Sequence, residues 1–128
     1  MTSSYKPASY TSISPYLVVN GARATIDFLK RVFDAEELRT FPSDEGGLMH
    51  AAARIDDTVV MLADSAEDWP STPAFVHTYV PDVDATYQRA LGPGAESVQA
   101  TTKKKDEDKR GGVKDADGTT GWMATKVE

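Results

Sequence analysis

The most informative segment of the chain is residues 14–33, which read SPYLVVNGARATIDFLKRVF. It opens with a short apolar run containing two adjacent valines, a composition typical of a β-strand. Apolar side chains then recur at spacings of 4, 3 and 4, which place them on one face of an α-helix. They are Ala22, Ile26, Leu29 and Phe33. The segment predicts a strand followed directly by an amphipathic helix, with Asn20 capping the helix.

The strands that follow this helix are predicted from short runs rich in apolar residues, each bounded by turn-forming residues. They lie at residues 36–41, 48–55 and 58–63. The second half of the chain shows the same order of elements. A strand at residues 74–80 precedes a helix that Asp82 caps, and the GPG sequence at residues 92–94 ends that helix. Three more strands are predicted at residues 95–100, 112–114 and 119–127.

Identical residues recur 61 positions apart in two well-separated parts of the chain. The pairs are Val19 and Val80, Ala24 and Ala85, Thr25 and Thr86, Asp56 and Asp117, Thr58 and Thr119, and Ala63 and Ala124. One offset shared by two distant segments indicates an internal duplication. The sequence therefore predicts one domain made of two βαβββ units, at residues 14–63 and 74–128. A linker at residues 64–73 joins the units, and a flexible lead-in at residues 1–13 precedes them.

The composition restricts the classes of function. A chain of 128 residues fits one domain. Its 20 acidic and 14 basic residues give a net charge of −6, so we expect neither a nucleic-acid nor a membrane partner. The absence of cysteine excludes a disulfide, a cysteine-ligated metal and a thiol nucleophile. With no apolar run of membrane-spanning length and no leader-like start, we expect a cytoplasmic location.

Four segments, in their order and at their spacing, resemble one known family. They are SPYLVVNG at residues 14–21, LMHAAARIDD at 48–57, HTYVPDVDA at 77–85 and GGVKDADGTTGWMATKVE at 111–128. The chain resembles the PhnB-like branch of the vicinal oxygen chelate superfamily, which includes glyoxalase I, extradiol dioxygenases and bleomycin resistance proteins. The resemblance implies an α+β fold in which tandem βαβββ modules form a curled mixed sheet, a cup with helices outside and a ligand cavity inside. It also implies a homodimer.

Metal-dependent members of this family hold a divalent ion with four side chains, one from the first and one from the fourth strand of each unit. Counting from the motifs assigns these positions to Ser14, Met61, Phe75 and Trp122. Divalent ions need carboxylate, imidazole or thiolate ligands, and none of the four side chains supplies one. The resemblance therefore implies a member of the family with no metal and no other cofactor at the standard site.

Strand alternation predicts which side chains line the cup, because alternate residues of a strand share a face. The predicted ligand-binding residues are Tyr16, His50, Met61, Phe75, His77 and Trp122. Together they form an aromatic and thioether surface with a few polar tips, which is typical of a pocket for a small apolar or aromatic molecule. No catalytic residue is assigned.

Three hypotheses about function follow. The first is a metal-free binder of a small apolar or aromatic molecule. The second is an enzyme, a lyase, isomerase or dioxygenase, with a displaced His-based or metal site built from His50, His77 and Glu or Asp residues on loops; it requires the two imidazoles to converge on one point. The third is a purely interacting or degenerate relative, whose cavity is filled by the side chains of Met61, Phe75 and Trp122.

Three local features carry further expectations. Trp69, in the linker, is interpreted as covering the seam between the units or, alternatively, as a ligand lid. The charged run KKKDEDKR at residues 103–110 is interpreted as a solvated loop without function. Gly121 alternates away from Trp122, so we expect a helix or the N-terminal segment to lie close over it.

Overall fold

Two βαβββ units follow each other along the chain in the computed structural model, which describes residues 5–44 and 46–128. The elements of the first unit are β1 (Tyr16–Val19), α1 (Ala22–Phe33), β2 (Glu36–Pro42), β3 (Leu48–Ile55) and β4 (Thr58–Asp64). Those of the second unit are β5 (Ala74–Tyr79), α2 (Val83–Ala90), β6 (Glu96–Lys103), β7 (Asp108–Lys114) and β8 (Thr119–Lys126). Within the described ranges, no helix is long and apolar enough to cross a membrane.

Each unit forms its own four-stranded sheet, with the strand orders β1-β4-β3-β2 and β5-β8-β7-β6. The first and last strands of each unit pair in parallel, and the other neighbours pair antiparallel. Tyr16 lies opposite Met61 in the first sheet, and His77 lies opposite Trp122 in the second. Residues of these strands that lie 61 positions apart in the sequence therefore occupy equivalent register positions in the two sheets. The predicted α+β fold of tandem units with mixed sheets is confirmed.

Helix α1 begins at a carboxylate supplied by a distant strand. Gly21 adopts the left-handed conformation at the start of the helix. The Oδ1 atom of Asp64, on β4, accepts hydrogen bonds from the backbone N–H groups of Gly21 at 2.9 Å and Ala22 at 2.7 Å. The predicted cap by Asn20 is therefore wrong, because the Asn20 side chain instead donates to Ser71 of the linker at 3.2 Å. The predicted cap of α2 is confirmed: Asp82 Oδ1 accepts from the backbone of Ala85 at 3.2 Å.

The buried residues of both units form one core, with the two helices packed against each other. Arg89 of α2 donates to the backbone oxygen of Val32 in α1 at 3.1 Å. Phe28 and Phe33 of α1 reach across to the second sheet, where a Cβ atom placed on Gly121 would lie 3.5 Å from the Phe33 ring. The expectation that a helix lies close over Gly121 is confirmed, and that helix belongs to the other unit.

One face of each sheet has no helix cover. We call these faces the first open face, on β1 to β4, and the second open face, on β5 to β8. In β1, Leu17 and Val19 are buried towards the helices, whereas Tyr16 points to the open face and is 46% exposed. Both open faces point away from the shared core. Among the described residues, no hydrogen bond or ring contact joins a side chain of one open face to a side chain of the other. One chain thus presents two open faces, each of which can form one half of a cup.

The charged run at residues 103–110 is not the solvated loop that its composition predicts. Strand β6 extends to Lys103 and strand β7 begins at Asp108, so the loop between them is short. Lys103, Lys104 and Lys105 are exposed, but Lys109 is half-buried and Asp108 is only 4% exposed. The reason is strand alternation: Asp108 and Arg110 share the second open face, while Lys109 points the other way and pairs with Asp84 at 2.8 Å.

Candidate functional site: two open aromatic faces

On the first open face, two aromatic rings flank the imidazole of His50. His50 on β3 lies directly opposite Phe41 on β2, and their ring centroids are 5.9 Å apart. The ring centroid of Tyr16 lies 5.8 Å from His50 on the other side, and the two ring planes are inclined by 27°. The Tyr16 hydroxyl is also 3.3 Å from His50 Nδ1, within hydrogen-bonding distance. The result is a stacked row of Tyr16, His50 and Phe41 across three strands.

A cation borders this aromatic row. The guanidinium group of Arg39 lies 5.8 Å from the centroid of the Phe41 ring and 4.8 Å from that of Tyr10, in the segment before β1. Burial lowers the pKa of His50, and the nearby charge of Arg39 lowers it further. The His50 imidazole is therefore neutral at neutral pH, and the row presents an uncharged aromatic surface.

The second open face carries a polar network beside its aromatic rings. Arg110 Nε donates to His77 Nε2 at 3.1 Å, and Arg110 Nη2 donates to the buried carboxylate of Asp108 at 2.9 Å. The Tyr79 hydroxyl donates to the same Asp108 oxygen at 2.7 Å, and this bond raises the pKa of Tyr79. Because an arginine Nε atom only donates, His77 Nε2 must be an unprotonated acceptor. The His77 ring is thus fixed by Arg110 rather than available as a catalytic base at that nitrogen.

The predicted site residues divide between the two faces. Tyr16, His50 and Met61 belong to the first open face, and Phe75, His77 and Trp122 belong to the second. Phe75 is 73% exposed, and the Trp122 ring packs over Gly112, where an added Cβ atom would lie 2.7 Å from it. The two histidines lie in different sheets with different partners. The convergence that the enzyme hypothesis requires is not present within one chain.

Several residues of these two faces were not predicted from the sequence. They are Arg39, Phe41, Asp108 and Arg110. Tyr79 is different, because strand alternation predicts it on the same face as Phe75 and His77. Asp108 and Arg110 lie in a run whose charges favour a loop, so no local pattern separates them from the solvated lysines around them.

The four standard metal positions do not fit a divalent ion. Ser14 Oγ lies 3.3 Å from the Thr11 hydroxyl, and the other three positions offer a thioether, a phenyl ring and an indole. Across residues 5–44 and 46–128, no three His, Asp or Glu side chains are grouped so that they could hold a metal ion. We derive no chemical step through a metal at this site.

The linker tryptophan does not cover the seam between the units. Trp69 lines a cavity together with Tyr16, Met49 and other residues of the first unit. A second cavity, of about 460 Å³, lies between the free edge of β5 and the turn that joins β3 to β4. It is lined by Pro15, by residues 55–58, by Val60 and by residues 75–79. The side chains of β5 therefore border open space along the whole strand.

Tandem βαβββ units with helix-packed backs and open aromatic faces define a glyoxalase/bleomycin-resistance-like protein. The chain matches the Glyoxalase/Bleomycin resistance protein/Dioxygenase superfamily over residues 10–122 and belongs to this family. The resemblance to the vicinal oxygen chelate superfamily, drawn from the four sequence motifs, is thereby confirmed.

The chain is also similar to individual known proteins. The chain is 40% identical over 115 residues to the uncharacterized protein Mb0911c of Mycobacterium bovis, covering 81% of this chain and 76% of that protein.

Three solved structures share the fold. TioX from Micromonospora sp. ML1 gives a TM-score of 0.75 at 24% identity, covering 91% of this chain and 98% of its own. A PhnB protein from Bacillus cereus gives 0.69 at 19%, covering 90% and 99%. TnmS3, an antibiotic binding protein from Streptomyces sp. CB03234, gives 0.67 at 18%, covering 91% and 99%.

Proposed function

We propose that the protein binds a small apolar or aromatic organic molecule without a metal ion. The binding site is a cup formed where the first open face of one copy meets the second open face of another copy. The observation that carries this proposal is the chemistry of the two faces. They expose aromatic rings beside the half-buried thioether of Met61, and no side chain at the four standard positions is a carboxylate, imidazole or thiolate ligand for a divalent ion.

The exposed aromatic area supports a binding role. Phe75 is 73% exposed and Tyr79 is 64% exposed on the second open face, with His77 between them along β5, and Tyr16 and Phe41 are also exposed on the first. Large contiguous apolar patches on a folded protein mark sites of interaction, because a bound partner or ligand removes their apolar surface from water. Rings with a few fixed polar tips are typical of sites that select small, flat molecules.

A second copy of the chain is part of the proposal because the two faces of one chain point away from each other. A dimer with two-fold symmetry that places the first face against the second face repeats the same contact twice and creates two equivalent cups. The free edge of β5, which pairs only with β8 on its other side, is available to such a partner. A cytoplasmic location, expected from the sequence, is part of the same proposal.

The fold relatives are compatible with this function. TnmS3, which shares the fold, is described as an antibiotic binding protein. By analogy, a member of this family that lacks metal ligands would retain the cup as a binding site.

The test is a titration of the protein, purified without chelators, with 2-methyl-1,4-naphthoquinone, an uncharged planar probe, followed by calorimetry with and without EDTA. We expect saturable binding that EDTA leaves unchanged. Phe75→Asp is expected to weaken binding at least about tenfold, because it puts a charge on the apolar face. Tyr5→Asp is the matched control, since Tyr5 is 80% exposed and lies outside both faces. A stoichiometric divalent ion in the purified protein, or loss of binding in EDTA, contradicts the proposal.

A further inference from the structure

A cavity of about 400 Å³ lies at one end of the first open face. Its apolar wall is formed by Tyr16, Leu48, Met49, Ala63 and Trp69. The volume is within the range of roughly 300–1,000 Å³ that holds small-molecule ligands. Tyr16 belongs both to this cavity and to the stacked row of the first open face, so the two are continuous.

Backbone hydrogen bonds fix the turn that carries Trp69. Ala66 and Trp69 exchange two backbone hydrogen bonds, at 2.9 and 3.0 Å, which close a tight turn. On either side of this turn the linker is tied to β1, by the bond from Ser65 N to Val19 O at 2.8 Å and from Thr72 N to Val18 O at 3.2 Å. The turn therefore holds its shape without help from the Trp69 ring.

The Trp69 ring is nevertheless displayed rather than packed. It is 54% exposed, and Met49, which lines the same cavity, is 64% exposed. An indole on a fixed turn beside an exposed thioether and an exposed phenol offers a large apolar surface that the folded chain does not bury. The turn preorganises the backbone that carries this surface, so less backbone freedom is lost when a ligand binds.

Two polar side chains that line the cavity already have hydrogen-bond partners within the protein. The carboxylate of Asp64 accepts three backbone hydrogen bonds, from Gly21, Ala22 and Leu48. The Ser65 hydroxyl donates to Asn20 Oδ1. Because these two groups are already used inside the protein, the cavity recognises its ligand chiefly through stacking and dispersion.

We propose that Trp69 is a stacking residue that holds planar, uncharged aromatic molecules in this cavity beside Tyr16. The inference rests on the proposed function in so far as Tyr16 is common to both sites. It goes further by assigning the linker to the binding machinery and by selecting flat rings over saturated ones.

The chain contains two tryptophans, and they lie at the two sites to be distinguished. In Trp122→Phe, Trp69 is the only fluorescent indole; in Trp69→Phe, Trp122 is. We expect 2-methyl-1,4-naphthoquinone, an electron-poor quencher, to quench Trp69 saturably, whereas trans-1-decalone, a saturated bicyclic ketone, gives no saturable change. With no cysteine in the chain, the quinone has no thiol to alkylate. By calorimetry, Trp69→Ala is expected to weaken quinone binding about tenfold and Trp69→Phe by no more than about threefold.

The outcomes separate this inference from the proposed function. Quenching of Trp69 with weaker binding by Trp69→Ala supports the inference, whatever Trp122 reports. Quenching of Trp122 alone, with unchanged binding by Trp69→Ala, supports the proposed cup and overturns the stacking role of Trp69. Quenching of neither indole overturns both. Unfolding curves of Trp69→Ala that match those of the Tyr5→Ala control exclude a loss of fold as the cause.

Discussion

At the scale of single residues, the two units place different side chains at equivalent positions. Tyr16 with His50 and His77 with Arg110 occupy equivalent register positions on the two open faces, two strands apart in each sheet. One pair is a stacked phenol and imidazole, and the other is an imidazole held by a guanidinium group. The histidines and the ring positions were predictable from alternation. The pairing partners were not, because each contact joins residues more than 30 positions apart.

Gly121 and Gly112 provide a test of packing on the two faces of one sheet. A Cβ atom on Gly121 would meet the Phe33 ring at 3.5 Å, an ordinary contact, so Gly121→Ala is expected to change the free energy of unfolding by less than about 1 kcal/mol. Gly121→Trp has no room beneath α1 and is expected to cost more than about 2 kcal/mol. Urea unfolding measures both. A stabilised Gly121→Trp variant would show a void that the structure does not contain.

Gly112→Ala is the matched control on the open side. A Cβ atom there would lie 2.7 Å from the Trp122 ring, so the ring must move. We expect this variant, in a Trp69→Phe background, to shift the Trp122 emission, whereas Gly121→Ala leaves it unchanged. Equal effects of the two substitutions would contradict the assignment of the two glycines to opposite faces.

At the scale of elements, the order of strands and helices follows from sequence, but the ends depend on distant partners. The β3 range was predicted without error, and most other strands differ by one or two residues. Strand β7 was predicted too short, because its first residues carry the charges of the 103–110 run. The start of α1 was assigned to Asn20, yet its cap comes from Asp64, 43 positions later than Gly21. Local pattern cannot reveal a cap of that kind.

Asp64→Asn tests this long-range cap. Burial would raise the pKa of Asp64, but the backbone hydrogen bonds from Leu48, Ala22 and Gly21 outweigh burial and hold the pKa below its usual range. The charged form is therefore favoured in the fold, and its stabilisation is present above about pH 4 and lost as the pH falls through the lowered pKa. We expect Asp64→Asn to lower the free energy of unfolding at pH 7 by about 1–3 kcal/mol.

Measuring the free energy of unfolding as a function of pH tests whether Asp64 stabilises the fold in its charged form. The difference between the wild-type protein and Asp64→Asn is expected to shrink as the pH falls below about 4, because the wild-type carboxylate becomes protonated. Asp82→Asn serves as the control, since Asp82 accepts a single backbone bond, at 3.2 Å, and so has less to lose. A larger effect of Asp82→Asn than of Asp64→Asn would refute the role of Asp64 as the anchor of α1.

At the scale of the whole molecule, the sequence predicts two units but not their relative orientation. Apolar periodicity identifies the buried face of each element, and it says nothing about which unit covers it. In the structure, α1 covers part of both sheets, since Phe28 and Phe33 lie over Gly121 of the other unit. This packing directs the aromatic faces outward, and it is the physical reason why we assign the complete cup to two chains.

Phe75→Asp probes this arrangement through the oligomeric state. Light scattering is expected to give a dimer mass for the wild-type protein and for Tyr5→Asp, and a monomer mass for Phe75→Asp. The physical reason is that a dimer would bury an unpaired carboxylate against the first open face. Because Phe75 is 73% exposed in the single chain, the substitution is expected to leave the fold of the monomer intact. A wild-type monomer at high concentration would refute the shared cup.

A crystal structure of protein purified without chelators and soaked with 2-methyl-1,4-naphthoquinone would show whether two copies share a metal-free aromatic site. We expect a quinone bound in contact with the first open face of one copy, with no divalent ion beside Met61, Phe75 or Trp122. A divalent ion held at those positions, or a cup closed by the two faces of a single chain, would contradict this expectation.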